Sequence, residues 1–369
     1  MKTEETFVPG LKGVVACETG ISLLDTEREK INIRGHDLID LSQGKTYADM
    51  VYLLLEGSLP DDREREKLEK KLKAHYDIPE NVMEVLEMLP ENMHAMDGQR
   101  TAISVLAGYD DKIDDRSISV NKERAYELLG QLPAITVNSY RILNGKAPVK
   151  PDPELSYSAN FLYMITGKEP TDFQSKIFDS SLLLYSEHEM PNSTFTSRVI
   201  ASTNSDMYGA LSGAVASLKG NLHGGANEAV MRMLKETDSV SGFEQLMKTK
   251  LEKKEKIMGF GHRVYMNRMD PRALVMKESL KQLCDMKGDT TLLEMCEAGE
   301  HIMKEEKGLY PNLDYYAAPV YWMLGVPIPL YTPIFFSSRA AGLCAHIIEQ
   351  HDNNRLFRPR VKYTGKELE

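Results

Sequence analysis

Apolar residues recur at intervals of three and four along most of this chain, which is the spacing of one buried helix face. The segment from Thr46 to Glu56 is a clear example, because Thr46 can serve as an N-cap and Gly57 as a stop. We expect other helices to start at Asp97, Asn121 and Thr171. The helices predicted from these signals span 46–56, 61–75, 97–108, 121–143, 171–188, 193–201 and 207–219.

The first part of the chain has a different pattern. Between residues 13 and 34, short apolar pieces alternate with Thr19-Gly20 and Asp25-Thr26, which is typical of a small β-meander. From Gly224 to Gly325, lysine and glutamate become frequent and the helices look more amphipathic than buried. We therefore expect a mostly α protein with a short N-terminal β-meander. Its large helical domain would comprise residues 1–223 and 326–369, and its smaller helical domain residues 224–325.

The segment from Met207 to Lys219 carries Gly209 and Gly213 four residues apart, among alanine and serine. Small residues at this spacing allow two helices to approach closely. The pattern indicates a tight packing seam or a subunit interface, and a merely flexible helix is the alternative.

Composition narrows the classes of function. The 369 residues are 42% hydrophobic and carry a formal net charge of -10, which argues against a nucleic-acid surface. An anionic substrate would need a local basic pocket. The four cysteines form no CxxC pair, no leader pattern precedes them, and no apolar run approaches the roughly 18 residues of a membrane span. These features predict reduced thiols in a cytoplasmic protein.

Nucleotide and metal motifs are incomplete. Gly259-Phe260-Gly261 is half of a dinucleotide fingerprint, since Val264 stands at the third glycine's place. His188-Glu189 has no second histidine four residues on, so a zinc helix is unsupported. We expect neither a metal nor a cofactor.

Three ionisable residues stand beside glycine or proline, where loops let backbone approach a ligand. His223 lies in Leu-His-Gly-Gly-Ala-Asn, His262 in Met-Gly-Phe-Gly-His, and Asp314 in Pro-Asn-Leu-Asp. Any one loop histidine is more often a surface group. The three contexts together, in this order, are typical of an active site.

These segments resemble the three catalytic segments of the citrate synthase family, and the resemblance covers nearly the whole chain. His188-Glu189-Met190-Pro191-Asn192-Ser193-Thr194-Phe195 is similar to a substrate-binding segment of that family. The resemblance implies condensation of an acyl-CoA with oxaloacetate and water. Asp314 would then be the base, His223 would stabilise the enol, and His262 would polarise the ketone. Both histidines are expected to act as neutral donors.

The resemblance also implies the binding residues. Oxaloacetate would be held by His188, Asn192, Arg272, Arg339 and Arg358, with Arg358 reaching in from the partner subunit of a homodimer. A solvated basic tail is the alternative for Arg358. For Arg263 and Arg268, a CoA phosphate contact and a surface ion pair stay open. CoA would lie on the loop of Lys256, Ile257, Met258, Gly259, Phe260 and Gly261.

The stretch from Asn312 to Ala318 indicates which acyl-CoA is used. It is more similar to the 2-methylcitrate synthases of the family than to the dedicated citrate synthases, and the chain as a whole resembles the short Gram-positive enzymes of that group. Propionyl-CoA is therefore the favoured substrate, with acetyl-CoA also accepted. A dedicated citrate synthase of the tricarboxylic acid cycle is the alternative. A non-catalytic metabolite-binding regulator and a citryl-CoA lyase are further ones, although a regulator would not need the base.

Overall fold

The computed structural model describes residues 7–28, 30–262, 265 and 268–366, and this part of the chain is mostly helical. Its first eight α-helices are α1 (Leu38–Gly44), α2 (Tyr47–Glu56), α3 (Asp62–Ala74), α4 (Glu80–Glu87), α5 (Ala95–Leu106), α6 (Ile118–Leu143), α7 (Tyr157–Thr166) and α8 (Asp172–Tyr185). The remaining eight are α9 (Asn192–Ala201), α10 (Met207–Leu218), α11 (Ala226–Leu234), α12 (Val240–Glu252), α13 (Pro271–Lys287), α14 (Thr291–Lys307), α15 (Leu313–Met323) and α16 (Tyr331–Asp352). The expected fold class is confirmed.

Local capping explains several helix starts. Thr46 and Asp49 form a capping box before α2, and Thr171 and Gln174 form another before α8. The predicted start at Asp97 is wrong, because His94 caps α5 by accepting a hydrogen bond from the Met96 amide.

Two further boundaries differ from the prediction. Helix α6 begins at Ile118, before Asn121. Helix α8 ends at Tyr185, which leaves His188 in the turn that leads to α9. Both of these differences lie at helix ends, where propensity signals are weakest.

The N-terminal sheet has three antiparallel strands in sequence order, β1 (Ser22–Asp25), β2 (Lys30–Ile33) and β3 (His36–Asp37). Ser22 pairs with Ile33, and Asn32 pairs with Asp37. The meander is therefore confirmed, but it is shorter than predicted and begins later, since Val14 and Val15 are exposed outside it.

Helix α16 lies at the centre and is buried along nearly its whole length. It packs against α2, α6, α8, α9 and α10, while α15 packs against α11 and α13 within residues 224–325. The buried apolar side chains form one continuous cluster that extends from Ile21 to Ile348. A side chain on α16, such as that of Arg339, is therefore held in a rigid environment.

Of the two glycines on α10, Gly209 and Gly213, the second is explained by packing within the chain. A Cβ at Gly213 would lie 2.2 Å from Ile200 Cδ1, so this glycine allows α10 to pack closely on α9. All four cysteines are free thiols. Within the described residues, no helix combines the length and apolar character needed to span a bilayer.

Candidate active site

Two loops that are distant in sequence are joined by backbone hydrogen bonds. The amide of Gly261 donates to the Tyr310 carbonyl at 2.8 Å, and the amide of Asn312 donates to the Gly259 carbonyl at 2.9 Å. Phe260 and Pro311 form an isolated antiparallel bridge between the same loops. This seam brings the loop that ends at His262 beside the loop that leads into Asp314.

Asp314 lies in the first turn of α15, where Asn312 caps the helix by accepting a 3.1 Å hydrogen bond from the Asp314 amide. The hydroxyl of Tyr185, at the end of α8, donates to Asp314 Oδ1 at 2.6 Å. Burial raises the pKa of Asp314 to about 6, although the Tyr185 bond and the charge of Arg272 oppose that rise. The result is a carboxylate that is more basic than a free aspartate and still mostly ionised at neutral pH.

His223 follows the end of α10 and is held by Ser193 in the first turn of α9. The Ser193 amide donates to His223 Nε2 at 3.2 Å, and the Ser193 hydroxyl lies 2.9 Å from the same nitrogen. Because a backbone amide can only donate, Nε2 is the acceptor and Nδ1 carries the proton. Burial, together with the charge of Arg339, lowers the pKa of His223 to about 4. His223 is thus a neutral donor at Nδ1.

His262 and His188 lie next to each other, with ring centroids 5.1 Å apart and the rings edge to face. Burial and the nearby Arg272 lower the pKa of His262 to about 4, and the same two causes hold the pKa of His188 well below its usual value. His188 Nε2 is buried and has no hydrogen-bond partner within the described part of the chain. Two neutral imidazoles therefore face one space.

Two buried arginines lie at the same place. Asp270 caps α13 and binds Arg272 on one edge, accepting from Nε at 3.1 Å and from Nη2 at 2.8 Å. Arg339 Nε donates to the Tyr185 carbonyl at 2.6 Å, and its guanidinium lies 5.0 Å from the Phe335 ring centroid. These contacts fix two guanidinium groups whose shape suits carboxylate oxygens.

One cavity of about 320 Å³ collects these groups. It is lined by all three candidate catalytic residues and by most of the candidate binding residues. Those among the predicted residues are His188, His223, Lys256, Ile257, Met258, Gly259, Phe260, Gly261, His262, Arg272, Asp314 and Arg339. The space is suited to a small anion with an acyl group beside it.

Two predicted oxaloacetate residues lie outside this lining. Asn192 is exposed at the start of α9, and its Oδ1 accepts a 2.6 Å hydrogen bond from the Ser217 hydroxyl. Arg358 is exposed in the segment after α16. Arg263 lies outside the described residues. Arg268 is described, and its guanidinium lies 5.6 Å from the Tyr265 ring centroid.

Sequence reasoning missed three residues of the site. Tyr185 ends a Leu-Leu-Leu-Tyr run that is typical of a buried core, Ser193 is a common helix-start residue, and Phe335 lies in an apolar stretch. Phe335 packs between Tyr185 and His223, with centroid distances of 4.6 and 6.5 Å. No local signal marks these side chains, because their partners come from other helices.

Known proteins are similar to this chain along nearly its whole length. The family model "Citrate synthase, C-terminal domain" matches residues 10–360. The citrate/2-methylcitrate synthase of Bacillus subtilis (strain 168) is 67% identical over 365 residues, which cover 99% of this chain and 98% of that protein. The 2-methylcitrate synthase of Shewanella oneidensis is 39% identical over 96% of this chain and 94% of its own length.

Among solved structures, the citrate synthase of the thermophilic archaeon Thermoplasma acidophilum superposes with a TM-score of 0.91 at 32% identity. The match covers 98% of this chain and 96% of that one. That structure is a ternary complex with carboxymethyl coenzyme A and oxaloacetate.

Proposed function

This chain belongs to the citrate synthase family, and we propose that it condenses an acyl-CoA with oxaloacetate and water, releasing CoA. It is an acyltransferase. Acetyl-CoA would give citrate and propionyl-CoA would give 2-methylcitrate. The observation that carries the proposal is a partly buried carboxylate, Asp314, in one cavity with the neutral imidazoles of His223 and His262.

The first step is removal of a proton from the carbon beside the thioester. Asp314 takes this proton, and its raised pKa makes it a better base than a solvated aspartate. Negative charge develops on the thioester oxygen, where Nδ1–H of His223 donates a hydrogen bond. The Ser193 amide supports this role because it keeps Nε2 of His223 unprotonated.

The second step joins the new nucleophile to the ketone of oxaloacetate. His262 donates to the ketone oxygen, which makes the ketone carbon more electrophilic. Arg272 and Arg339 bind the two carboxylates, and His188 donates from Nε2, its unpaired nitrogen. Because Asp270 takes one edge of Arg272, a substrate carboxylate meets its Nη1 side. Asn192 would contribute only after turning away from Ser217. Hydrolysis of the resulting thioester then releases CoA.

The site is assembled from two parts of the chain. His262 and Asp314 belong to residues 224–325, whereas His188 and Arg339 belong to the remainder, and His223 stands at the border. We propose that these parts are two domains that close over the substrates and exclude water. The loop 256–261 binds CoA, and Arg358 completes the site of the partner subunit in a homodimer. Its exposure in this chain is compatible with that role.

Propionyl-CoA is the proposed preferred substrate, with acetyl-CoA accepted. The names of the Bacillus and Shewanella relatives support this choice. One methyl group in an apolar pocket is worth only about 1–3 kcal/mol, so dual activity is expected. Tyr315 and Tyr316 do not line the cavity, since their hydroxyls bond to the Cys296 carbonyl and to Glu300. Leu313 does line the cavity, so the acyl chain would contact Leu313 rather than Tyr315 or Tyr316.

Release of free CoA thiol from oxaloacetate with acetyl-CoA or propionyl-CoA tests the proposal, and the ratio of kcat/KM values names the substrate. No release with either thioester would refute it. Asp314→Asn should lower kcat by about 10²–10⁴-fold and leave oxaloacetate binding intact. Asp172→Asn, at the exposed first position of α8, is the matched control and should leave turnover unchanged.

A further inference from the structure

A carboxylate that the reaction does not use lies directly behind the candidate oxaloacetate site. Glu187, the neighbour of His188, is fully buried. Its Oε1 accepts a 2.7 Å hydrogen bond from the Ser22 hydroxyl of β1 and lies 3.2 Å from His346 Nε2. Its Oε2 has no hydrogen-bond partner among the described residues. A buried carboxylate with an unsatisfied oxygen is costly unless a nearby positive charge compensates it.

The hydrogen bonds around Glu187 indicate that His346 does not supply the positive charge that compensates this carboxylate. Arg198 Nη1 lies 2.9 Å from His346 Nδ1, and a guanidinium can only donate. Nδ1 is therefore the acceptor, and the single ring proton sits on Nε2, which donates to Glu187. The other hydrogen of Arg198 Nη1 goes to Glu349 Oε2 at 2.7 Å. His346 in this arrangement is a neutral donor and does not supply the countercharge. Although burial raises the pKa of Glu187, its contact with His346 and the charge of Arg339 hold that pKa below its usual value, so Glu187 is ionised.

Glu187 packs against α16, the helix that also carries Arg339. A Cβ at Gly342 would lie 2.1 Å from Glu187 Oε2, so this glycine makes the room in which the carboxylate sits. Arg339, Gly342 and His346 are spaced three and four residues apart and share one face of α16. The Glu187 carboxylate therefore packs against the helix face that carries Arg339.

Arg339 needs such a partner. Its guanidinium is buried and contacts the Tyr185 carbonyl and the Phe335 ring, both of which are uncharged. Burial lowers the pKa of Arg339 to about 10, and Glu187 is the largest influence that opposes this fall. Arg272 differs, because Asp270 contacts it directly at 2.8 Å.

We infer that Glu187 is the resident countercharge of Arg339 and a positioning residue that weakens oxaloacetate binding by competing for that guanidinium. The two buried guanidinium groups are then each matched by a carboxylate, Asp270 or Glu187, which stabilises the unliganded protein. When the substrate carboxylate arrives, it shares Arg339 with Glu187. This inference rests on the proposed function only in naming oxaloacetate as the anion.

Glu187→Gln tests it, because glutamine keeps the volume and one acceptor oxygen and removes the charge. We expect the variant to unfold at a lower temperature without ligand and yet to bind oxaloacetate about tenfold more tightly, as removal of one unit charge beside a buried anion site requires. Binding is measured by calorimetry with oxaloacetate alone. Glu169→Gln, at an exposed position after α7, is the matched control and should change neither quantity. Reduced stability with equal or weaker oxaloacetate binding would overturn the inference and leave Glu187 a structural residue.

A second measurement holds even if Glu187→Gln folds poorly or the protein does not bind oxaloacetate. Replacing Arg339 alone leaves the buried charge of Glu187 uncompensated, and replacing Glu187 alone leaves that of Arg339 uncompensated. Replacing both leaves no uncompensated buried charge. The double variant Glu187→Gln with Arg339→Gln should therefore melt at a higher temperature than either single variant. Additive losses in the double variant would refute the pairing. A wild-type protein that binds oxaloacetate without turnover would contradict the proposed function and leave this inference standing.

Discussion

The hydroxyl of Tyr185 donates a 2.6 Å hydrogen bond to Asp314 Oδ1, and it joins the end of α8 to the start of α15. This contact crosses the border between the two proposed domains. It stabilises the charged form of the carboxylate and so restrains the rise in pKa that burial produces.

Replacing Tyr185 by Phe should move the pKa of Asp314 upward, because the donor that favours the carboxylate is lost. The acid limb of kcat/KM should shift to higher pH, and activity at pH 7 should fall by about two- to tenfold, because a hydrogen bond to a charged group is worth about 1.5–3 kcal/mol. Tyr157→Phe is the control, since it removes a buried hydroxyl that donates to the Leu129 carbonyl outside the cavity. An unchanged pH profile in Tyr185→Phe would show that the bond does not tune the base.

The wild-type pH dependence follows from the same carboxylate. A base works when it is deprotonated, so kcat/KM should fall as the pH drops through about 6, the pKa of Asp314. His223 and His262 have pKa values of about 4 and should stay neutral across this range. The initial rates measured between pH 5 and 8 should therefore fit a titration curve with a single ionisation. A limb that requires two protons near pH 6 would contradict the neutral histidines.

Gly259 is expected to be irreplaceable for two separate reasons. Its φ is +89°, and a Cβ there would lie 2.6 Å from Val230 Cγ2 and 2.9 Å from Tyr315 Cδ2. Gly288 has φ +70° with open space around it, so Gly288→Ala should cost only the left-handed penalty of about 1–2 kcal/mol. Gly259→Ala should cost about 1–3 kcal/mol more from overpacking.

Thermal unfolding of both glycine variants measures this difference. The KM for acyl-CoA should rise only in Gly259→Ala, because Gly259 lies in the proposed CoA loop. Equal losses of stability in the two variants would show that the loop yields to the added methyl group.

Arg358 can be assigned to a subunit by mixing inactive variants. In a heterodimer of Arg358→Ala and His262→Ala, one site receives an intact arginine from its partner and keeps its own histidine. Random mixing should then restore roughly a quarter of wild-type activity if the protein is a closed dimer with shared sites. The mixture of His262→Ala and Asp314→Asn is the control, since both residues act in their own subunit and no site is complete. No recovery in the first mixture would place Arg358 in the site of its own subunit, and an active Arg358→Ala variant would place it outside both sites.

Much of the fold could be read from local patterns. Thr46 and Thr171 are N-caps whose partners lie three residues on, so sequence alone contains the whole interaction. The candidate catalytic segments could be selected because glycine or proline stands beside an ionisable residue and because, taken together, they resemble segments of the citrate synthase family. Asp97 was misread because His94, a rarer cap, takes that role.

The remainder depends on contacts between distant elements. Tyr185 looks like a core residue until α15 brings Asp314 to its hydroxyl. Tyr315 and Tyr316 follow Asp314 directly, and each step along a helix turns the side chain by about 100°. They therefore point into the protein although their neighbour faces the cavity, a difference that the linear sequence does not display.

The seam between the loops at Gly261 and Asn312 has a consequence for local unfolding. Because their backbone amides are bonded to each other's loop, neither loop can open without breaking hydrogen bonds of the other. His262 and Asp314 should consequently be lost or kept together as one cooperative unit, and the amides of Gly261 and Asn312 should exchange their hydrogens at similar rates. Partial melting would then leave no species that keeps one of these two proposed catalytic residues in place without the other.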